Sequence, residues 1–228
     1  MFPAQVVQVL PVRLCLPVVV DSSVHNITTS SLCSHHVLQL HSCITEYLDP
    51  CRLGALLCAR AVAPIMIRQR SGIMAVIGSI FADYTAPFNG AYASSKAAVT
   101  STFDALRLEL APFSIAVCVV EPGFFSSKLR NNCFDASRYL EGESLYSQAS
   151  QTMSDMVQYQ DSLRHVASAE EVAQVVVKKI CRKRGPPPRF LVGTQAWLFK
   201  LIGFLYKFVV PGLMHKLLIF HFGLNRKW

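Results

Sequence analysis

Three short, largely apolar runs, separated by helical patterns, constrain the fold of this chain more than any other feature. The runs are Ile73–Ile77, Ile115–Val120 and Arg189–Val192. Each has the length expected of one strand buried inside a sheet. Apolar residues recur at helical spacing from Gly54 to Gln69, and again from Tyr92 until Pro112 ends the pattern. This alternation predicts parallel strands joined by helices, and therefore an α/β fold.

A capping motif marks the start of a third helix. Ser168 and Glu171 have the spacing of a capping box, in which each side chain bonds the backbone N–H of the other residue. We therefore expect a helix from Ala169 to about Cys181, followed by the last strand. The expected order of elements is helix, strand, helix, strand, helix, strand, with a polar stretch before the third helix.

Tyr92 and Lys96 lie four residues apart at the start of the second predicted helix, so their side chains share one face. Reduction of a carbonyl needs a proton donor beside the carbonyl that receives hydride. Tyrosine is too weak an acid for this role unless a nearby cation stabilises its phenolate, and a lysine one turn away supplies that cation. The lysine can also hold a ribose hydroxyl. Taken alone, the pair is more often a plain feature of a helix surface.

The residues that follow the first two strands strengthen this interpretation. Ser79 follows the first strand, thirteen residues before Tyr92, and Pro122–Gly123 follows the second. Ligands of doubly wound sheets bind at this carboxyl rim. The Ser79 hydroxyl can bond a substrate oxygen, and backbone amides near Pro122–Gly123 can meet a carboxamide. Taken singly, Ser79 fits a turn and Pro122–Gly123 fits a loop. Their combination with Tyr92 and Lys96 predicts a reductase site.

This constellation resembles the short-chain dehydrogenase/reductase family. The similar stretches are GIMAVIGSI, GAYASSKAAV and LRLELAPFSIAVCVVEPGFFSS. The resemblance implies a doubly wound, Rossmann-type parallel sheet and a nicotinamide cofactor. By position it implies that Ser79 holds the substrate carbonyl, that Tyr92 is the acid and that Lys96 is its partner. The residues that it places at the cofactor are Tyr92, Lys96, Pro122, Gly123, Phe125 and Ser127.

A narrower resemblance concerns the substrate. The stretches LRLELAPF and SLYSQASQTM, and the tail from VGTQAWLF onward, are similar to the NADPH-dependent 1-acyldihydroxyacetone phosphate reductases. This resemblance covers about residues 53–228. It implies NADPH as the cofactor and a lipid-like ketone as the substrate. It also implies a place on the cytoplasmic face of an intracellular membrane, at the endoplasmic reticulum or a lipid droplet.

The first part of the chain departs from the family pattern. No glycine precedes Gly54, so the family's glycine-rich phosphate loop is absent. Cys51 stands where the family has a catalytic asparagine, and a thiol cannot replace the amide's donor and acceptor pair. We therefore expect a partial sheet that lacks its first strands, with an irregular segment at 1–52 that does not belong to the family domain, and the C-terminal half of that domain at 53–192. Within the first segment, Leu14–Val20 is a candidate strand.

Two functions remain open from the sequence. The first is a NAD(P)H-dependent oxidoreductase that reduces the carbonyl of a lipid-like substrate. The second is a catalytically inactive, truncated, membrane-associated remnant that cannot bind the dinucleotide. The missing glycine loop favours the remnant for the chain as written, whereas the family's general activity favours the reductase.

The segment 193–228 is hydrophobic and basic. After Glu171 there are eleven Lys and Arg residues and no Asp or Glu. The lysines that interrupt its apolar run are Lys200, Lys207 and Lys216. We therefore expect two short helices, divided at Pro211–Gly212, that lie in a membrane interface. The basic residues expected to meet anionic headgroups are Arg182, Lys183, Arg184 and Arg189. The alternative is a substrate lid or a dimer interface in a soluble enzyme.

Other features predict less. The cluster of potential metal ligands comprises Cys33, His35, His36, His41 and Cys43. Its spacing matches no zinc frame, and we expect no metal site. The eight cysteines are scattered and are interpreted as free thiols. The basic cluster is too short to predict nucleic acid as a partner. The sequence neither predicts nor excludes a homodimer.

Overall fold

The structure, a computed structural model, describes residues 5–10, 16–20, 53–87, 89–126, 166–209 and 211–221. The described strands are β1 (Gln5–Leu10), β2 (Leu16–Val20), β3 (Gly72–Ile77), β4 (Ile115–Pro122) and β5 (Arg189–Val192). The described α-helices are α1 (Gly54–Gln69), α2 (Gly90–Leu110), α3 (Ala169–Ile180), α4 (Ala196–Phe204) and α5 (Pro211–His221). A 3₁₀ turn, Ile80–Ala82, follows β3, and a π-helical turn, Leu205–Val209, follows α4.

The described strands form one sheet in the order β2-β1-β3-β4-β5. β3, β4 and β5 are parallel, with Gly72 beside Ile115 and Val119 beside Arg189. Helix α2 lies between β3 and β4 in sequence, and α3 precedes β5. The predicted α/β fold with a parallel sheet is confirmed for these three strands and their helices.

The N-terminal strands contradict the expectation of an irregular segment in the part of 1–52 that the structure describes. β1 and β2 form an antiparallel hairpin, and β1 also pairs antiparallel with β3, which places Val9 beside Met74. The candidate strand within Leu14–Val20 is found as β2, but β1 was not predicted. Its valines favour a strand, and the edge of β3 offers backbone groups that need partners. The sheet is therefore mixed.

Local chemistry accounts for the helix boundaries. α1 ends where Arg70 adopts a left-handed conformation with φ of 50°, and the N–H of Arg70 bonds back to the carbonyl of Ile67 at 3.2 Å. The predicted capping box at the start of α3 is confirmed. Ser168 Oγ accepts from the N–H of Glu171 at 3.1 Å, and Glu171 Oε2 accepts from the N–H of Ser168 at 2.7 Å.

Three clusters of buried side chains hold the layers together. Met74 and Val76 of β3 face α1 and α2, whereas Ala75 faces α3 on the other side of the sheet. This alternation follows from the two-residue period of a strand. The third cluster lies at the carboxyl rim and joins the turn after β3 to α4. Its buried members are Ile80, Tyr84, Ala86, Ala196 and Phe199.

The C-terminal segment divides into two helices as expected, but its first helix packs against the domain that precedes it. α5 begins at Pro211, where the sequence predicts the division, and α4 ends at Phe204 before the π-helical turn. Ala196 and Phe199 of α4 are buried in the rim cluster, so the predicted boundary between 192 and 193 separates residues that pack together. Within the described ranges, no helix combines the length and the apolar character needed to cross a bilayer.

Candidate active site

Ser79 lies two residues after the end of β3, at the carboxyl rim, and is only 5% exposed. Its Oγ accepts a hydrogen bond from the N–H of Phe81 at 3.2 Å and so caps the 3₁₀ turn that follows. A hydroxyl that accepts one bond can still donate its own hydrogen to a substrate oxygen. The turn after β3 therefore holds the Ser79 oxygen in place, and its role toward a substrate oxygen stays a prediction.

Lys96 is buried beside Tyr92 at the start of α2. The lysine is 5% exposed, and its Nζ donates to the carbonyl oxygen of Ile77 at 3.4 Å. The same Nζ lies 5.7 Å from the centroid of the Tyr92 ring. The ammonium therefore ties α2 to the end of β3 and places a positive charge next to the phenol. A cation in this position stabilises the phenolate that remains after proton transfer.

Phe81 connects the turn after β3 to Tyr92. Its ring centroid lies 5.8 Å from that of Tyr92 in an edge-to-face arrangement, and its backbone N–H is the one that Ser79 accepts. The structure thus brings the Ser79 turn, Tyr92 and Lys96 together at one rim of the sheet. Their catalytic roles remain predictions.

The backbone after β4 pairs with the chain that follows β5. The N–H of Gly123 donates to Val192 at 2.8 Å, and the N–H of Phe124 donates to Thr194 at 3.0 Å. These amides extend the pairing of β4 with the chain after β5, and the expected contact of backbone amides near Pro122–Gly123 with a carboxamide stays a prediction. A Cβ on Gly123 would lie 2.5 Å from the Thr194 oxygen, which explains the glycine.

The remaining residues predicted at the cofactor have different positions. Pro122 is buried at the end of β4. Phe125 is half-buried, forms a bridge with Ala167 and packs against the cluster on the α3 side of the sheet. Ser127 lies outside the described residues. The roles of these three residues toward a nicotinamide stay predictions.

A cluster of charged residues at the same rim was not predicted from the sequence. Glu121, at the end of β4, is only 1% exposed. Its Oε2 lies 2.8 Å from the Nζ of Lys200 on α4, and its Oε1 lies 3.5 Å from a guanidinium nitrogen of Arg189. Asp83, which ends the turn after Ser79, also pairs with Lys200. We call Asp83, Glu121, Arg189 and Lys200 the rim ion cluster.

The rim ion cluster corrects the interpretation of three basic residues. Lys200, Lys207 and Arg189 were expected to act in a tail without offsetting carboxylates. In the fold, Lys207 lies 3.7 Å from Asp83, and Arg189 pairs with Asp104 of α2. Carboxylates that are distant in sequence thus neutralise these cations, because the parallel sheet brings the ends of its strands to one edge.

A single feature of the sequence could have indicated this cluster. Glu121 is a charged residue within an otherwise apolar strand, directly before Pro122. A carboxylate in a buried strand needs a cation or several donors. The sequence therefore predicts that some partner exists, but it does not identify Lys200 as that partner.

The described residues fit only one end of a nicotinamide dinucleotide. Tyr92 and Lys96 supply donors of the kind that hold a ribose hydroxyl near the nicotinamide. The pyrophosphate ordinarily binds where a strand, a glycine turn and a helix N-terminus follow one another. Beside β3, the described chain instead has β1, which runs antiparallel and pairs with β2 in a hairpin. The described part of the chain therefore does not fit the phosphates.

The cysteines that the structure describes add no chemistry to this site. Among the described residues, Cys58, Cys118 and Cys181 are free thiols. Burial raises the pKa of Cys118 to about 12, so this thiol stays protonated and unreactive near neutral pH. The ligand-rich segment from Cys33 to Cys43 lies outside the described residues.

Relatives of known sequence share parts of this chain. It is 38% identical over 97 residues to Dehydrogenase/reductase SDR family member 7B of Xenopus tropicalis, a match that covers 42% of this chain and 30% of that protein. It is 32% identical over 167 residues to 11-beta-hydroxysteroid dehydrogenase 1A of Arabidopsis thaliana, which covers 73% of this chain and 43% of that protein. The chain thus spans less than half the length of these curated relatives.

Solved structures show the same fold. A short-chain dehydrogenase from Streptomyces avermitilis matches with a TM-score of 0.56 at 22% identity, over 80% of this chain and 63% of that one. A short-chain dehydrogenase from Burkholderia cenocepacia, solved in complex with NADP, matches with a TM-score of 0.54 at 18% identity, over 77% of this chain and 59% of that one. Finally, the family model of short chain dehydrogenases matches residues 18–138, more than half of the chain. The chain belongs to the short-chain dehydrogenase/reductase family of oxidoreductases.

Proposed function

We propose that this chain carries the reductase site of a NAD(P)H-dependent enzyme that reduces the carbonyl of a lipid-like substrate. The observation that carries the proposal is the position of Lys96, whose buried ammonium lies between the carbonyl of Ile77 and the ring of Tyr92. Burial of an ammonium is unfavourable unless neighbouring groups compensate it. A lysine kept at such a position beside a phenol is typical of a site that transfers protons.

Each of the three side chains has one role in the proposed reaction. The nicotinamide cofactor, when bound, supplies a hydride to the carbonyl carbon. Tyr92 donates its hydroxyl proton to the carbonyl oxygen, and Lys96 stabilises the phenolate that this leaves. Ser79 donates a hydrogen bond to the same oxygen and thereby orients the carbonyl toward Tyr92.

Aromatic side chains support an apolar substrate. The rings of Tyr84 and Phe199 lie 5.2 Å apart, and those of Phe124 and Phe199 lie 5.3 Å apart, in the cluster that adjoins the Ser79 turn. Phe81 connects this cluster to Tyr92. Tyr84 and Phe199 are buried, whereas Phe81, Tyr92 and Phe124 are half-buried, and an acyl chain gains free energy when it covers the exposed parts of these three rings. We therefore propose a 1-acyldihydroxyacetone phosphate reductase-like activity, with NADPH as the reductant.

Replacement of one hydroxyl tests the proposed reaction. In the full chain, Tyr92→Phe should lower kcat for NADPH-dependent reduction of an acyldihydroxyacetone phosphate by about 10²-fold or more, because a general acid contributes on this order. Tyr206→Phe removes a hydroxyl from a partly exposed ring of the π-helical turn and should leave kcat unchanged. Equal rates for Tyr92→Phe and the wild-type chain would show that Tyr92 is not the acid.

The second candidate function is a catalytically inactive remnant. The antiparallel pairing of β1 with β3, together with the absence of glycine before Gly54, favours it. Titration of the full chain with NADPH, followed by nicotinamide fluorescence, separates the two candidates. Saturable binding at micromolar NADPH supports the reductase, whereas no binding, together with no turnover, supports the remnant.

We also propose that the C-terminal helices rest on a membrane surface, on the cytoplasmic face of the endoplasmic reticulum or a lipid droplet. Large apolar side chains point away from the domain along α4, the π-helical turn and α5. The most exposed are Trp197, Phe204, Phe208, Leu213 and Phe220. Insertion of such side chains contributes roughly 25 cal/mol for each Å² of apolar surface that leaves water. Arg182, Lys183 and Arg184 are exposed and add attraction to anionic lipids.

Liposome flotation tests this membrane proposal, but deletion of the segment does not. Phe190, Val192 and Phe199 are buried, so their removal would disturb the domain itself. A triple substitution to serine at Trp197, Phe208 and Phe220 should abolish flotation with anionic liposomes, whereas the wild-type chain should still float at high salt. A wild-type chain that forms a homodimer and does not float would instead assign this surface to a second copy.

A further inference from the structure

Lys200 of α4 joins two carboxylates that come from different parts of the fold. Its Nζ lies 2.8 Å from Oε2 and 3.0 Å from Oε1 of Glu121, and it also pairs with Oδ2 of Asp83. Glu121 belongs to the end of β4, and Asp83 ends the turn that Ser79 begins. One ammonium therefore links α4, β4 and the turn after β3.

The burial of Glu121 makes this lysine necessary. The glutamate is 1% exposed, and a carboxylate at such a depth is strongly unfavourable unless a cation pairs with it. Arg189 is the other cation of the rim ion cluster, but it lies 3.5 Å from Glu121 Oε1, beyond the usual range of a strong hydrogen bond. Lys200 is therefore the closer partner of Glu121.

Asp83 connects the ion pair with Lys200 to the turn after β3. Its backbone N–H donates to the carbonyl of Ile80 at 3.2 Å, so a single 3₁₀ turn connects it to Ser79. The backbone of α4 also approaches Asp83 closely, since a Cβ on Gly203 would lie 2.7 Å from the Asp83 carbonyl oxygen. A fixed Asp83 thus fixes both the Ser79 hydroxyl and the Phe81 ring.

We propose that Lys200 is a positioning residue for the reductase site. By pairing with Glu121 and Asp83 at once, it holds the turn after β3 against α4, so that Ser79 and Phe81 keep their places beside Tyr92. The catalytic consequence rests on the proposed function, but the positioning can be measured without turnover.

Hydrogen exchange in the full chain tests the positioning directly. Lys200→Met should accelerate exchange of the Asp83 and Tyr84 amides by about tenfold or more, since both bond to the Ile80 carbonyl in the turn that loses its anchor. Lys207→Met is the matched control. It removes the same charge from the π-helical turn that follows α4, 3.7 Å from Asp83, and should leave exchange of these amides unchanged.

A second pair of variants separates positioning from folding. Lys200→Met leaves Glu121 buried without its closer partner and can destabilise the whole chain. Adding Glu121→Gln removes that buried charge, so the double variant should fold while the amides of Asp83 and Tyr84 still exchange fast. Lys200→Arg, which keeps the cation, should restore slow exchange at both.

Steady-state kinetics provide an independent test of the positioning role of Lys200. In an active chain, Lys200→Met should lower kcat by about tenfold while KM for NADPH stays unchanged, because the lysine acts on the turn that orients the carbonyl. If the wild-type chain reduces no carbonyl, the proposed function fails, and the exchange data still decide the positioning. Equal exchange at Asp83 and Tyr84 in Lys200→Met and Lys207→Met would overturn the inference. Exchange that rises uniformly along the double variant would overturn it too.

Discussion

Two groups of side chains meet at the carboxyl rim, and the chain assembles them differently. Ser79, Tyr92 and Lys96 come from the end of β3 and the start of α2, which are neighbours in sequence. The rim ion cluster joins residues that are far apart, and its central pair, Asp83 and Lys200, is separated by 117 residues. The comparison indicates that the proposed chemistry is encoded locally, whereas the support of the site depends on the complete fold.

The two lysines at the centre of these groups have different surroundings. Lys96 donates to a main-chain carbonyl and lies beside an aromatic ring, so its charge faces the phenol of Tyr92. Lys200 lies between the carboxylates of Asp83 and Glu121, which neutralise its charge. A lysine in the first setting can serve proton transfer, while a lysine in the second setting holds structural elements together.

The largest expected effect is that of Lys96→Met on catalysis. This change removes the cation beside Tyr92, and we expect kcat/KM for the carbonyl substrate to fall by about 10²-fold or more. Lys178→Met, on an exposed position of α3, serves as the control and should retain full activity. Steady-state kinetics at saturating NADPH provide the measurement. A loss smaller than that of Lys200→Met would reverse the roles that we assign to the two lysines.

The next effect concerns the close approach of α4 to the serine turn. Gly203→Ala places a Cβ 2.7 Å from the backbone oxygen of Asp83, and we expect a loss of about 1–3 kcal/mol in the free energy of unfolding. Gly212→Ala in α5 meets nothing within 4 Å and should stabilise the chain by at most about 1 kcal/mol. Urea denaturation measures both. Equal stabilities would mean that α4 does not pack on the turn as the structure has it.

These contrasts explain how much the sequence could reveal. Parallel strands, the helices between them and the capping box at Ser168 follow from local periodicity, and the structure contains them. The candidate site was also predictable, because Tyr92 and Lys96 lie one helical turn apart and Ser79 follows the preceding strand. The spacing of neighbouring residues carries all of this information.

Long-range pairing was not predictable in the same way. β1 joins the sheet through the edge of β3, and its direction depends on the tertiary fold rather than on its valines. The cations of the C-terminal segment were interpreted without partners, because Asp83, Asp104 and Glu121 precede them by many residues. Only the three-dimensional arrangement identifies Lys200 as the partner of Glu121.

The rim ion cluster should also make stability depend on pH. Burial by itself raises the pKa of Asp83, but the hydrogen bond and charge of Lys200, with Lys207 and Arg189, outweigh this and hold its pKa below the ordinary value. A carboxyl of this kind stabilises the fold above its unfolded pKa of about 3.9 and loses that contribution as the pH falls through its folded pKa.

We therefore expect the free energy of unfolding to fall below about pH 4 and Asp83→Asn to reduce this dependence. The pKa of Asp104 is also lowered by its arginine partners despite burial. Asp104 should therefore preserve part of the pH dependence of the free energy of unfolding in the Asp83→Asn variant. Glu170→Gln changes an exposed carboxylate of α3 and is the control. Urea midpoints measured from pH 7 to pH 3 test the expectation. A profile for Asp83→Asn that parallels the wild type would argue against a charged, paired Asp83.

The smallest expected effect is that of Lys207→Met on stability. The Lys207 side chain is 43% exposed and lies 3.7 Å from Asp83, and ion pairs in such settings contribute at most about 1 kcal/mol. Salt screens exposed pairs, so the effect of Lys207→Met should vanish at high ionic strength. The effect of Lys200→Met should persist there, because its partner Glu121 is buried and screened much less. Unfolding measured at low and high salt for both variants tests this difference. If salt removed both effects equally, Glu121 would be accessible to solvent, and the rim ion cluster would be a surface feature without a role in holding the turn.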